Sequence, residues 1–96
     1  MSNINAIKNR YKASFKEKKQ MIDEFRQKLF EITNESSDLF EQIHSELHKL
    51  AGSLGMYGYE ELATQARIGM KLAQAQDKRG LDENLIGLSM LFREYN

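Results

Sequence analysis

The chain has 96 residues, 41% of them hydrophobic and 29% charged, and it contains no cysteine and no proline. This length supports one hydrophobic core, so we expect residues 1–96 to form a single domain. The lack of cysteine excludes disulfides and thiolate metal sites. No apolar run approaches the roughly 20 residues of a membrane-spanning helix, and the N-terminus lacks the apolar segment of a signal peptide, so we expect a cytoplasmic location.

The formal net charge is zero, but charge is distributed unevenly. Residues 1–20 carry six basic side chains and one acidic one, whereas residues 23–46 carry seven acidic and two basic ones. A basic segment of this kind either binds nucleic acid or an acidic partner, or forms the solvated face of a terminal helix. Because no nucleic-acid-binding motif or pattern of interleaved aromatic residues accompanies it, we favour the solvated helix and expect no nucleic acid as partner.

The first predicted helix is long and amphipathic, as the lack of proline allows. Its apolar stripe consists of Ile4, Ile7, Tyr11, Phe15, Ile22, Phe25, Leu29 and Ile32, and Lys18 occupies the slot where an apolar residue is missing. A straight helix of this length, at about 1.5 Å per residue, would extend past the other helices. We therefore predict a bend near residues 14–19, with the N-terminal piece packed over one end of a bundle.

The second predicted helix follows a loop at residues 33–37, which are rich in turn-forming side chains. Asp38 is the expected N-cap, and Glu41 three residues later completes a capping box. The helix extends to about Tyr57, and Gly58 ends it. Its buried stripe is Phe40, Ile43, Leu47, Leu50, Leu54 and Tyr57, which recur at spacings of three and four.

The third and fourth predicted helices form the rest of the bundle. The third begins near Tyr59, and its inner face consists of Leu62, Ala66, Gly69 and Ala73. The small residues among these let two helices pack closely. After a turn at residues 76–80, Asp82 caps the fourth helix, whose stripe is Leu85, Leu88, Phe92 and Tyr95. The short connections predict an all-α, antiparallel up-down-up-down four-helix bundle with a long or bent N-terminal helix.

His48 lies off the buried stripe of the second helix. At about 100° per residue it points roughly 130° from the centre of that stripe, and Gly52 and Gly55 follow it on the same face. A glycine inside a helix costs about 1 kcal/mol relative to alanine, so the two together suggest that bare backbone beside the imidazole has a use. On spacing alone, His48 is either an ordinary surface histidine or a nucleophile, because a neutral imidazole is abundant near pH 7.

The residues around His48 resemble the motif of the histidine-containing phosphotransfer (HPt) domain family. That motif has a histidine on a bundle helix, a hydrophobic residue two positions later, a small-residue cluster that begins with glycine at four, and a helix-ending glycine at about ten. These positions are held here by His48, Leu50, Gly52–Ser53 and Gly58. The order of the predicted helices also fits, so the resemblance covers nearly the whole chain.

Two positions depart from the family pattern. Many members carry lysine where this chain has Ala51, and its own lysine is Lys49, next to the histidine. A Leu-Glu pair often follows about one turn beyond the position of Ala66, where this chain has Gly69–Met70. The first departure leaves open which cation assists the histidine.

The resemblance implies a phosphorelay intermediate of two-component signalling, with the phosphoryl group carried on Nε2 of His48. The implied partners are a receiver domain, which brings its own aspartyl phosphate and Mg²⁺, and an upstream hybrid histidine kinase. Ser45, Gly52 and Gly55 would belong to the docking surface. No phosphate-cradling glycine loop is present, so we expect a phosphocarrier without an ATP site or cofactor, not an enzyme. We also expect a monomer.

Several side chains near His48 keep more than one interpretation. Lys49, Arg67 and Lys71 either neutralise phosphoryl oxygens or are ordinary solubilising charges. Gly55 either clears space for a partner or eases the packing of a neighbouring helix.

Two alternatives to phosphotransfer also follow from this region. His44 is expected to flank the acceptor, but with Glu41 and His48 it has spacings of three and four that could hold a metal ion. We favour no metal, because no further ligand can be identified. The other alternative is a helical scaffold that binds a signalling partner without carrying phosphate. The initial Met1 favours a stand-alone protein over a domain of a larger sensor.

Overall fold

A computed structural model describes residues 2–32 and 37–95 of the chain. This part forms five α-helices: α1 (Ser2–Lys12), α2 (Phe15–Glu31), α3 (Ser37–Met56), α4 (Glu60–Gln74) and α5 (Lys78–Glu94). Helix α3 packs on α4, α4 on α5, and α5 on α2, while α2 contacts α3 more lightly. The predicted all-α bundle with a bent first helix is confirmed, and α2 to α5 are its four helices.

The core lies between the four bundle helices and is built mainly from the predicted apolar stripes, to which the structure adds Leu81, the residue before the predicted cap Asp82. Its largest fully buried side chains are Phe15, Ile22, Leu29, Ile43, Leu47, Leu54, Leu62, Leu81, Leu85, Leu88 and Phe92. Complete burial of one such side chain contributes about 1.5–3 kcal/mol. Helical periodicity identifies these positions because residues three and four apart share one face of a helix.

The predicted bend separates α1 from α2 at residues 13–14, the N-terminal edge of the interval expected for it. The Ser14 hydroxyl donates to the Tyr11 carbonyl over 2.6 Å, which satisfies a carbonyl at the end of α1. The Tyr11 ring stacks on Tyr57 with their centroids 4.4 Å apart, and Lys8 Nζ lies 4.7 Å from the centre of the Tyr59 ring. These contacts hold α1 against the end of the bundle where α3 meets α4.

The end of α3 and the start of α4 confirm the predictions for this turn. Gly58 has φ +84°, the left-handed conformation that glycine adopts without strain. The Tyr59 amide donates to the Leu54 carbonyl over 2.8 Å, and the Gly58 amide donates to the Gly55 carbonyl over 3.1 Å. This Schellman-type pattern satisfies the last carbonyls of α3. Helix α4 then begins at Glu60.

Two predicted N-caps were wrong. Helix α3 begins at Ser37, so Asp38 lies in its first turn and does not precede it; the preceding loop, residues 33–36, lies outside the described residues. Helix α5 begins at Lys78, four residues before the predicted cap. The side chain of Asp77 is the cap and accepts from the Gly80 amide over 2.9 Å. Asp82 lies inside α5, where Arg26 of α2 pairs with it at 3.0 Å.

Gly69 allows α4 to approach two neighbours at once, which extends the close packing predicted for its inner face. A Cβ on Gly69 would overlap the side-chain oxygen of Asn84 on α5 and lie 2.7 Å from Leu47 Cδ1 on α3. The Asn84 amide also donates to the Gln65 carbonyl over 3.0 Å, which joins α4 to α5. The close approach of the Leu47 side chain to Gly69 places these two residues near one level of the bundle.

Candidate functional site on helices α3 and α4

His48 is exposed on the outer face of α3, while its neighbours Leu47 and Leu50 are buried. The side-chain hydrogen bonds and ion pairs among the described residues do not include His48. The imidazole is therefore open to an approaching molecule. Its outward direction is the one that the helical spacing predicts.

The two glycines beside His48 differ in their surroundings. A Cβ added to Gly52, one turn after His48, would have no other atom within 4 Å. A Cβ added to Gly55 would lie 3.5 Å from Nη2 of Arg67, which reaches across from α4. The bare patch next to the imidazole is therefore at Gly52, whereas a guanidinium group covers Gly55.

The three candidate cations occupy different places around α3. Lys49 pairs with Glu46 at 3.6 Å and lines a groove on the α2 side of α3 together with Lys18. It therefore points away from the His48 flank, as expected for the next residue along a helix. Arg67 and Lys71 are both exposed on α4, the other neighbour of α3.

Along the bundle, the backbone of Lys71 lies near the level of Ser45, about 4.5 Å from that of His48. Gly69 stands opposite Leu47, and α4 runs antiparallel to α3. Lys71, two residues after Gly69, therefore lies about 3 Å from the level of Leu47, toward the N-terminus of α3. Side chains in a helix lean toward its N-terminus, which brings the lysine amine back toward His48. Of the three cations, Lys71 therefore has the placement best suited to reach a group on the imidazole.

His44 lies one turn before His48 but in different surroundings. It is half-buried in a groove that Phe40 and Glu41 of α3 line with Ala73 and Gln74 of α4. In the part of the chain that the structure describes, no three histidine, cysteine or acidic residues are grouped so that they could hold a metal ion. The spacing of Glu41, His44 and His48 therefore does not produce a three-ligand cluster.

Two exposed residues complete the outer face of α3. Ser45 is exposed three residues before His48, at a position assigned to the docking surface from the sequence. Met56 was not among the predicted site residues, yet 74% of its surface is exposed. A signal for it was present in the sequence, because Met56 lies one turn after Gly52 and off the buried stripe.

A large cavity lined by described residues is elsewhere, between α2 and the start of α5. It has a volume of 670 Å³, and its wall includes Arg26, Phe30, Lys78 and Asp82. Arg26 and Asp82 are already paired with each other, and no histidine lines the cavity. This cavity is therefore separate from the face that carries His48.

Comparison with known proteins supplies the family. The family model described as "Hpt domain" matches residues 13–94, which include α2 to α5 completely. No curated protein and no solved structure matches this chain. None of the helices in residues 2–32 and 37–95 has the length and apolar character needed to cross a membrane.

Proposed function

The chain belongs to the Hpt domain family, and we propose that it is a phosphorelay intermediate whose phosphoacceptor is His48. Hpt domains take part in phosphotransfer in two-component signalling, and they are phosphocarriers, not catalytic enzymes. The observation that carries the assignment to His48 is its exposed imidazole, which has no side-chain hydrogen bond or ion pair among the described residues, beside the open space at Gly52. His44, the only other histidine, is half-buried in a groove.

The proposed reaction transfers a phosphoryl group from an aspartyl phosphate on a receiver domain. The lone pair of His48 Nε2 attacks the phosphorus, and the bond from phosphorus to the aspartate oxygen breaks as the N–P bond forms. The electron pair of the broken bond leaves on the aspartate carboxylate. The ring is neutral before attack and keeps its Nδ1 proton, so it carries a positive charge once the N–P bond has formed, and the step needs no separate base. The reverse step passes the group to the next receiver.

Charge neutralisation during this transfer would come from both proteins. Phosphoryl transfer depends mainly on positioning and on stabilising charge on the phosphoryl oxygens. In our proposal Mg²⁺ on the receiver supplies most of that charge, and Lys71 adds one exposed cation from α4. The Hpt side brings no cofactor of its own.

The proposal includes the setting in which the domain works. Members of the family interact with receiver domains and kinases. For this chain we propose an upstream hybrid histidine kinase and a response-regulator receiver as the partners, a cytoplasmic location and a monomeric phosphocarrier. The contact face would be the outer side of α3, with Ser45, Gly52 and Gly55 around His48.

A phosphotransfer screen tests this proposal. Receiver domains of the same organism, each phosphorylated and radiolabelled in the presence of Mg²⁺, are mixed singly with the protein. At least one should transfer label, and the label should be acid-labile and base-stable, as expected for phosphohistidine. His48→Gln should abolish labelling while circular dichroism shows an intact helical fold, and the matched variant His44→Ala should still be labelled.

Two outcomes of the screen would count against the proposal. Undiminished labelling of His48→Gln would move the acceptor to another residue. Binding of a receiver without any transfer of label would instead favour the alternative function, a helical scaffold for a signalling partner.

A further inference from the structure

The guanidinium of Arg67 lies on the backbone of α3, on the same flank as His48 but some distance from it. Its Nη2 is 3.5 Å from the place that a Cβ of Gly55 would occupy. Gly55 follows His48 by seven residues, which is about 10 Å along the helix and about 20° around it. The histidine side chain leans the other way, toward the N-terminus of α3. In this position Arg67 is too far away to contact a phosphoryl group on His48.

Arg67 is also without an acidic partner among the described residues. The ion pairs there involve other cations, namely Lys19, Arg26, Lys49 and Arg79. A guanidinium offers five donors in a planar fork that matches a carboxylate. The donors of Arg67 that face away from α3 are therefore available to a molecule that docks on this face.

Met56 follows Gly55 by one residue, so it lies about 100° around α3 from Gly55, on the other side of the exposed face from Arg67. With 74% of its surface exposed, it has almost no packing role within the bundle. Methionine adapts its shape to a partner and is frequent at binding surfaces. Arg67 and Met56 together therefore place a cation and an apolar side chain at the C-terminal end of the His48 face.

From this geometry we propose that Arg67 and Met56 form a docking rim for the receiver domain, separate from the phosphoryl site at His48. The inference rests on the proposed function, because the rim is continuous with the face that would carry the transfer. A receiver holds its Mg²⁺ with carboxylates, so the mouth of its site is negative and complements Arg67. The rim would bind a receiver surface that presents a carboxylate to Arg67 and an apolar side chain to Met56. It determines affinity and partner choice, whereas Lys71 and Mg²⁺ act on the phosphoryl group.

Gly55 has a specific role in this arrangement, because its lack of a side chain leaves room for the guanidinium of Arg67 on α3. An alanine at this position fits, because 3.5 Å is an ordinary contact distance. A longer side chain would occupy the place of the guanidinium. Gly55→Leu should therefore weaken docking in the same way as loss of Arg67, although Arg67 itself is unchanged, and Gly55→Ala should not.

The test measures binding and transfer separately, with the same panel of purified receiver domains. Binding of each unphosphorylated receiver with Mg²⁺ is measured by calorimetry, and the tightest binder is kept whether or not it transfers label. Arg67→Gln and Met56→Ser should each weaken its binding about fivefold, since both contacts are exposed before docking. The effect of Arg67→Gln should shrink at high salt, whereas that of Met56→Ser should persist. At saturating receiver, both variants should accept label at the rate of the unaltered protein.

Matched controls come from the opposite side of the bundle. Arg79 and Met90 on α5 are exposed by 93% and 61%, so Arg79→Gln and Met90→Ser remove the same groups away from the rim. Both control variants should bind normally. The proposal is overturned if no receiver binds, if the rim variants bind normally, or if the controls weaken binding as much. If the rim variants weaken binding as expected but no receiver transfers label, the phosphorelay function is refuted and the docking rim is still supported.

Discussion

Replacing Gly52 with glutamine should separate the stability of this domain from its activity. Gly52 lies inside α3, one turn after His48, and an added Cβ would meet no atom within 4 Å. A side chain at this position therefore costs no packing strain. It would, however, stand beside the imidazole, at the point where a receiver must approach.

The expected stability change follows from helix propensity. Glycine in a helix interior is about 1 kcal/mol less favourable than alanine, partly because it gives the unfolded chain more freedom. Gly52→Ala should therefore raise the free energy of unfolding by up to about 1 kcal/mol. For a domain of this size that corresponds to an increase in Tm of roughly 4–8 °C. Gly52→Gln should gain somewhat less and melt no lower than the unaltered protein.

The expected loss of activity follows from the geometry of in-line attack. A displacement of about 1 Å between reacting groups can reduce the rate on the order of a hundredfold. Glutamine projects several ångströms from the helix, so Gly52→Gln should slow phosphotransfer by about that factor. The smaller methyl group of Gly52→Ala should give an intermediate rate.

Thermal unfolding followed by circular dichroism and single-turnover transfer from a labelled receiver measure the two effects. Gly69→Ala is the contrasting control, because its Cβ would overlap Asn84 and crowd Leu47, so this variant should lose stability. A Gly52→Gln variant that melts lower than the unaltered protein would show that the glycine serves internal packing. Unchanged transfer by a folded Gly52→Gln variant would show that no partner approaches this patch.

Two further predictions concern charge. Lys71→Ala should slow transfer severalfold at saturating receiver, since an exposed charge contact is worth about 1 kcal/mol or less. Lys49→Ala should have little effect because Lys49 points toward α2. Equal transfer rates for the two variants would show that Lys71 does not assist the phosphoryl group. The second prediction concerns Asp23: burial alone would raise the pKa of its carboxyl, but hydrogen bonds from Lys19 and Ser89 outweigh burial, so the folded-state pKa lies below the usual 3.8. The charged carboxylate then stabilises the fold fully at pH values well above 3.8, and this contribution is lost as pH falls through the lowered pKa. Asp23→Asn should accordingly flatten the loss of stability in urea unfolding measured from neutral to acid pH, and an unchanged pH profile would argue against these hydrogen bonds.

The sequence by itself was sufficient to predict the helices, the bend and the face on which His48 lies. These features depend on residues three to seven positions apart, and the geometry of an α-helix relates such residues directly. Gly58 could be assigned as the end of α3 for the same reason, since a helix-ending glycine is a local signal. The N-caps were less secure, because Asp77 and Asp82 are both capable caps. Only the full set of contacts decided between them: Leu81 is fully buried, and Arg26 of α2 pairs with Asp82.

The relation between α3 and α4 was beyond the reach of the sequence. Spacing alone placed Gly52 and Gly55 on the same face as His48 and left two interpretations of Gly55 open, yet the structure leaves Gly52 open and covers Gly55 with Arg67. Likewise, Lys49 is nearest to His48 in the chain but faces α2, while Lys71 is exposed on α4, the other neighbour of α3. Such differences depend on the offset between two packed helices. That offset is determined by packing between the two helices, such as Leu47 against Gly69, and the residue spacing within one helix does not predict it.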